Sequence, residues 1–124
     1  MKTIGREPIT AIELWSLNAC KTQLRQFERR WPEGCEITLD NLLLACRLKL
    51  DTAFMIWHLP DPMYGKCTDT RTEIEQLLNL YPSTILGRRL SSALAYYATC
   101  SGKSAGTVVK EYNAHMDKKR GGTK

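Results

Sequence analysis

Apolar residues recur every three or four positions along most of this chain, the spacing that places them on one face of an α-helix. Thr10 stands three residues before Glu13, which is the spacing of a helix-starting capping box, and Thr38 precedes another apolar run. Apolar and polar residues never alternate over more than a few positions, so no strand is predicted. The pattern predicts an all-α protein, a compact bundle of five or six short helices.

The boundaries of these helices follow from capping residues, prolines and glycines. Asn18 can either interrupt the first helix or cap the next one, and the sequence leaves both alternatives open. We expect residues 10–31 to form one or two helices, followed by helices near residues 38–50, 52–59, 70–81, 84–100 and 104–118.

The stretch "DPMYGKCTDT", residues 61–70, is the clearest predicted loop. Pro62 and Gly65 are both residues that favour turns. Thr70 and Glu73 have the spacing of a second capping box, which would start the next helix directly after the loop.

The segment 52–59, "TAFMIWHL", has no polar face and allows three interpretations. A short helix that is apolar all round is most often buried at the centre of a bundle. Alternatively, the segment is the second helix of a helix-turn-helix. In the third interpretation, Phe54, Met55, Trp57, Met63 and Tyr64 form an exposed patch of the kind that dominates protein–protein contacts.

The helix-turn-helix interpretation is the weakest of the three. Residues 38–59 have its outline, but Lys49 stands where the tight turn usually requires glycine. A recognition helix also needs polar side chains that reach base edges. The segment offers Thr52 and His58 and little else.

Length and charge indicate one domain with a basic tail. The chain has 124 residues and a net charge of +5, but residues 118–124, "KKRGGTK", carry four positive charges and no acid. Without them the chain has 14 basic and 13 acidic residues, unlike a uniformly basic DNA-binding protein. We expect residues 1–117 to form one helical domain and residues 118–124 to be disordered.

The sequence contains no motif that is typical of a catalytic, phosphate-binding or metal site. The five cysteines are widely spaced, without a Cys-x-x-Cys pair, and the two histidines lie 57 positions apart. Neither a glycine-rich phosphate loop nor a nucleophile elbow is present. No apolar run is long enough to span a membrane, and the first ten residues have no apolar signal region. We therefore expect a cytoplasmic protein that is not an enzyme and has no cofactor or metal.

Two groups of basic residues are candidate contact sites. One is a stripe on the second helical segment, which is either an ordinary solvated face or a contact for phosphate or an acidic protein. The other is the Arg88–Arg89 pair, with Tyr96 off the apolar stripe and therefore expected near it at the surface. Together with the aromatic patch, the candidate partner-binding residues are Lys21, Arg25, Arg29, Arg30, Trp57, Met63, Tyr64, Arg88, Arg89 and Tyr96.

The stretch from Ala19 to Leu59 contains the pattern "AC..QL..F...WP.G.EIT..NL..A..L.LD". In this pattern it resembles a short helical module in uncharacterised proteins of phages, prophages and plasmids. The resemblance implies a mobile-element origin but transfers no functional residue. Accessory proteins of that kind often bind a host or phage complex, and inhibitors of CRISPR effector complexes are one such class. The matching residues are Ala19, Cys20, Gln23, Leu24, Phe27, Trp31, Pro32, Gly34, Thr38, Asn41, Leu42, Ala45, Leu50 and Asp51.

Non-covalent binding is the function that these observations favour. The first hypothesis is a mobile-element accessory protein that docks on a protein or protein–RNA complex and inhibits it. A DNA-binding regulator is the alternative, and it predicts salt-sensitive duplex binding that depends on the basic tail. A third hypothesis is a structural protein that self-assembles through residues 52–59.

Overall fold

Residues 8–58, 61–79 and 85–121 are described in a computed structural model of the protein. The β-type contact within these ranges is one antiparallel bridge between Ile9 and Cys35, so the predicted all-α class is confirmed. The same ranges contain seven helices, more than the five or six expected. They are α1 (Ala11–Ser16), α2 (Lys21–Arg30), α3 (Leu39–Arg47), α4 (Ala53–Trp57), α5 (Asp61–Leu78), α6 (Ile85–Ser101) and α7 (Ala105–Gly121).

Residues with a left-handed backbone separate the short helices. Asn18, with a φ of 64°, follows α1, and Lys49, with a φ of 65°, follows α3. A residue in this conformation satisfies the last carbonyl groups of a helix and turns the chain. Of the two alternatives for Asn18, interruption of the helix is therefore the one that the protein adopts, and this adds a helix to the expected number.

The predicted helix starts at Thr10 and Thr38 are confirmed. The Thr10 hydroxyl accepts a 3.1 Å hydrogen bond from the backbone of Glu13, and the Thr38 hydroxyl accepts one of 3.2 Å from the backbone of Asn41. The predicted helix 52–59 is shorter, since α4 covers Ala53–Trp57 and Leu59 lies outside the described residues. Helix α7 continues to Gly121, into the predicted tail, whose residues 122–124 are not described; disorder of the tail stays a prediction.

The predicted loop at residues 61–70 is wrong, because α5 runs through all of it. Pro62 is the second residue of the helix, where its missing N–H would have no intrahelical partner anyway. Thr70 does not cap a helix but lies within α5, where its hydroxyl donates to the carbonyl of Lys66. Tertiary packing outweighs the turn propensity of Gly65, since Cys67 on the same helix is fully buried.

Helix α6 is the centre of the fold. It packs against α3, α4, α5 and α7, and every side chain from Ser91 to Cys100 is buried. Small side chains at positions such as Ala93, Ala95 and Ala98 let the neighbouring helices approach closely. A helix surrounded on all sides cannot have a polar face, which distinguishes α6 from the amphipathic helices around it.

Candidate functional site

A cleft of about 380 Å³ lies where α4, α5 and α6 meet, and it brings together three of the predicted contact residues: Trp57, Tyr64 and Arg88. Arg71 from α5 completes this wall of side chains, which we call the aromatic–arginine cleft. The side chain of Trp57 is 71% exposed and that of Tyr64 is 39% exposed. The aromatic rings of Trp57 and Tyr64 thus lie at the surface beside Arg71 and Arg88.

One face of α5 supplies the polar side of the cleft. Tyr64, Arg71 and Glu75 line it, and their spacings of seven and four residues place them on the same side of a helix. The Glu75 carboxylate accepts a 2.9 Å hydrogen bond from the Ser91 hydroxyl, and the Arg71 Nε atom lies 4.0 Å from it. Arg88 is exposed and forms no ion pair with a described residue.

The apolar segment 52–59 is divided between the core and the surface. Ile56 is fully buried, whereas Trp57 on the next position points outward. Phe54 is half-buried and packs against the exposed ring of His58, with 4.4 Å between the ring centroids. The core interpretation and the contact interpretation each describe part of this segment. Met63, which precedes Tyr64, adds a further exposed apolar side chain (37%).

The predicted basic stripe lies on the outer face of α2. Lys21, Arg25 and Arg29 are all exposed, while Phe27 on the opposite face is buried. Arg30 is also exposed and lies over the ring of Trp31, 5.5 Å from its centroid. Helix α2 does not line the aromatic–arginine cleft. Lys21, Arg25 and Arg29, here called the α2 cationic face, therefore form a separate candidate site.

Tyr96 was expected at the surface, and this prediction is wrong. Its side chain is 1% exposed, since α6 is enclosed by four helices rather than lying against one. Arg89 is half-buried, and its backbone carbonyl accepts hydrogen bonds from the Thr52 hydroxyl (2.6 Å) and the Cys46 thiol (3.3 Å). Arg89 thus anchors the α3–α4 turn on α6 through its backbone.

The same contacts weaken the helix-turn-helix interpretation. Thr52 is buried and its hydroxyl is bonded to Arg89, so it cannot reach a base edge. Helix α4 has only five residues. Within the segment 52–58 the exposed polar side chain is that of His58.

A second exposed apolar pair, which the sequence analysis missed, lies on α1. Ile12 is 80% exposed and Trp15 is 68% exposed, whereas Leu14 is buried. Ile12 and Trp15 are three residues apart, as are Leu14 and Leu17, so the region has two apolar stripes. The six-residue helix α1 buries Leu14. Two apolar stripes on one short helix were the signal that one of them would face solvent.

Residues of helices α1 to α4 and the segments between them line an apolar cavity of about 140 Å³ that is partly open to solvent, here called the amino-terminal cavity. Its lining comes from the buried and half-buried residues of α2, α3 and α4, together with residues of α1 and of the connecting segments. Its lining includes Leu24, Phe27, Trp31, Leu42, Ala45 and Met55.

The residues of the pattern that begins at Ala19 maintain this part of the fold. Most of them line the amino-terminal cavity. The Gln23 side-chain oxygen accepts a 2.8 Å hydrogen bond from the backbone of Asp51, and the Asn41 amide donates one of 2.9 Å to the carbonyl of Glu36. Gly34 has a φ of 111°, which favours glycine. The pattern therefore describes mainly a scaffold, although Cys20, Pro32 and Asp51 among its residues are exposed.

The cysteine thiols differ in their environments. Cys20 is exposed at the start of α2, where the nearby backbone N–H groups of Gln23 and Thr22 lower the pKa of its thiol. Burial raises the pKa of Cys35 and of Cys46 to about 11. No group of three potential metal ligands occurs among the described residues. Cys20 is thus the most reactive of these three thiols.

Comparisons of the chain with protein-family models, with curated proteins and with solved structures find no match. Within the part of the chain that the structure describes, no helix combines the length and the apolar character needed to cross a membrane. The case for a function therefore rests on the surfaces described above.

Proposed function

We propose that this protein works by non-covalent docking on a protein or protein–RNA complex, and that the aromatic–arginine cleft is its principal contact surface. The observation that carries the proposal is the exposure of Trp57 and Tyr64 beside Arg88 at a cleft of about 380 Å³. Tryptophan, tyrosine and arginine are the residues that most often dominate the binding energy of protein interfaces.

The α2 cationic face supports the extension to a protein–RNA complex. Lys21, Arg25 and Arg29 follow one another at intervals of one helical turn, so their charges form a line about 12 Å long. No described acidic residue is ion-paired with them. Such a line suits phosphate groups or an acidic protein surface. In this proposal Trp57 and Tyr64 give the affinity for protein, and the α2 face contacts the polyanion.

The resemblance of residues 19–59 to modules of mobile elements supports a narrower form of the proposal. In it, the protein is a cytoplasmic accessory protein without enzymatic activity, and its target is a host defence nuclease complex such as a CRISPR effector. The protein would then block the nucleic-acid site of that complex. This form predicts that the docked complex loses nucleic-acid binding.

A matched pair of tryptophan variants tests the docking surface. Trp57→Ala removes the aromatic wall of the cleft, while Trp15→Ala removes an equally exposed tryptophan on α1. Tagged protein would be used for pull-downs from nuclease-treated host lysate, followed by mass spectrometry. We expect a defined partner to bind the wild type and Trp15→Ala and to be lost with Trp57→Ala. Unchanged thermal unfolding of both variants would show that each remains folded.

Other outcomes would favour the competing hypotheses. Retention in untreated lysate that disappears on DNase treatment and falls steeply with salt would contradict docking on a protein or protein–RNA complex and support the DNA-binding regulator. A mass that rises with concentration and returns to monomer in Trp57→Ala would support self-assembly through residues 52–59. Equal binding by the wild type and Trp57→Ala would exclude the cleft as the contact surface.

A further inference from the structure

We propose that the amino-terminal cavity is a binding site for a small apolar molecule of about the size of one benzene ring. The cavity measures about 140 Å³, whereas voids in protein interiors seldom exceed a water molecule. An apolar cavity of about 150 Å³ stays dry and takes up benzene or xenon. The amino-terminal cavity adjoins the aromatic–arginine cleft, since Asp51 and Phe54 line both, but its remaining walls come from different residues.

The lining determines the chemical class of the ligand. The walls are aromatic and aliphatic and include Phe27, Trp31, Leu42 and Met55. An apolar ligand would regain the dispersion contacts that these side chains lack across the empty space. Flat or branched hydrocarbon groups fit such walls, and a charged group would lose its hydration there.

Polar groups at the cavity are already hydrogen-bonded. The Gln23 side-chain oxygen accepts the backbone N–H of Asp51, and the Thr52 hydroxyl donates to the carbonyl of Arg89. The Cys35 thiol donates to the carbonyl of Glu36. The Cys20 and Asp51 side chains, which also belong to the lining, are exposed at its rim. A buried water needs two to four polar partners, and the inner walls are mainly apolar. The cavity therefore favours an apolar occupant over water.

The rim of the cavity provides a route of entry. Cys20 and Asp51 belong to its lining and are both exposed to solvent, so the cavity reaches the surface between the start of α2 and the α3–α4 turn. A small molecule can enter there without separation of the helices that form the walls.

Methyl NMR of the methionines is a direct test with benzene as the probe. Met55 lines the cavity, whereas Met63 and Met116 do not and serve as internal controls. In protein labelled with ¹³C at the methionine methyl groups, we expect benzene to shift the Met55 resonance saturably and to leave the controls in place. The absence of a saturable Met55 shift up to the solubility of benzene would overturn the proposal, as would equal shifts of all three resonances.

A variant that partly fills the cavity, Ala45→Val, tests the site together with a control that carries the same substitution at the surface. Ala45→Val adds two methyl groups to the lining, and we expect it to weaken benzene binding about tenfold or more. Ala114→Val places the same side chain at an exposed position of α7 and should bind as the wild type does. Unchanged benzene affinity in a folded Ala45→Val protein would overturn the proposal.

The converse variant keeps the test decisive if Ala45→Val does not fold. Leu42→Ala enlarges the cavity, so we expect it to bind the larger indole ring, which the wild type should exclude. A Met55 shift with indole in Leu42→Ala alone would support the site. Identical responses of the two proteins to both ligands would contradict it.

Discussion

The Ser91 hydroxyl donates a 2.9 Å hydrogen bond to the Glu75 carboxylate and so joins α6 to α5 beneath the aromatic–arginine cleft. Its neighbour Ser92 is equally buried, but its hydroxyl has no hydrogen-bond partner among the described residues. Two adjacent serines on the central helix therefore have opposite energetic roles, because a buried hydroxyl stabilises the fold only when it is bonded.

Alanine substitutions of these serines should change stability in opposite directions. Ser91→Ala removes a hydrogen bond to a charged group and should lower the free energy of unfolding by about 2 kcal/mol. Ser92→Ala removes an unsatisfied buried hydroxyl and should raise it by about 1 kcal/mol. Urea unfolding measures both values. Destabilisation of similar size in both variants would contradict the assignment.

Two glycines should respond in opposite ways to alanine. Gly65 lies within α5, and a Cβ atom there would meet nothing within 4 Å, so Gly65→Ala should raise the free energy of unfolding by about 0.5–1 kcal/mol. Gly34 has a φ of 111°, and a Cβ atom there would lie 3.2 Å from that of Pro8. Gly34→Ala should therefore destabilise the protein by about 1–3 kcal/mol. Thermal and urea unfolding of the pair would show whether α5 continues through residue 65.

The pair of Lys103 and Glu111, which joins the end of α6 to α7, should make stability depend on pH. Lys103 Nζ lies 2.7 Å from the Glu111 carboxylate, which also accepts a hydrogen bond from the Tyr97 hydroxyl. These bonds, chiefly the one from Lys103, lower the pKa of Glu111, and the bond to Glu111 chiefly raises the pKa of Lys103. The contribution of Glu111 is therefore present above its unfolded pKa of about 4.3 and is lost as pH falls through its folded pKa.

At the alkaline end, the contribution of Lys103 to stability is complete below its unfolded pKa of about 10.4 and is lost as pH rises through its folded pKa.

Glu111→Gln removes the ion pair and should lower the free energy of unfolding at pH 7. The loss should be only about 0.5–1 kcal/mol, because both groups are about one-third exposed. Urea unfolding at several pH values should show this difference disappearing below about pH 4. Glu73→Gln, at an exposed position of α5, is the control and should show a small difference throughout.

Alkylation of the native protein should modify Cys20 first. The backbone N–H groups of Gln23 and Thr22 lower the pKa of this exposed thiol, whereas burial raises the pKa of Cys35, Cys46 and Cys67. We expect iodoacetamide to add one label, mapped to Cys20 by mass spectrometry, with further labels only in urea. The Cys20→Ser variant should stay unlabelled under native conditions. Rapid native labelling at any buried cysteine would contradict the packing.

The candidate site could be predicted only in part from the sequence. The residue types at Trp57, Tyr64 and Arg88 indicated a contact surface, but the sequence placed Tyr64 in a loop and Tyr96 at the surface. Arg71 and Glu75 became part of the cleft only because α5 is continuous and presents them on the same face as Tyr64. The exposed Trp15 resembled a core residue, since spacing alone does not tell which of two apolar stripes a short helix buries.

What the sequence determined by itself is the helical class and the starts of α1 and α3, because apolar periodicity and the caps at Thr10 and Thr38 act over a few residues. The tertiary structure decided what depends on distant neighbours. Packing against α6 kept residues 61–70 helical despite Pro62 and Gly65, and four surrounding helices buried Tyr96. Local signals act within a helix turn, whereas burial depends on which helices meet, and this is settled by the free energy of the whole core.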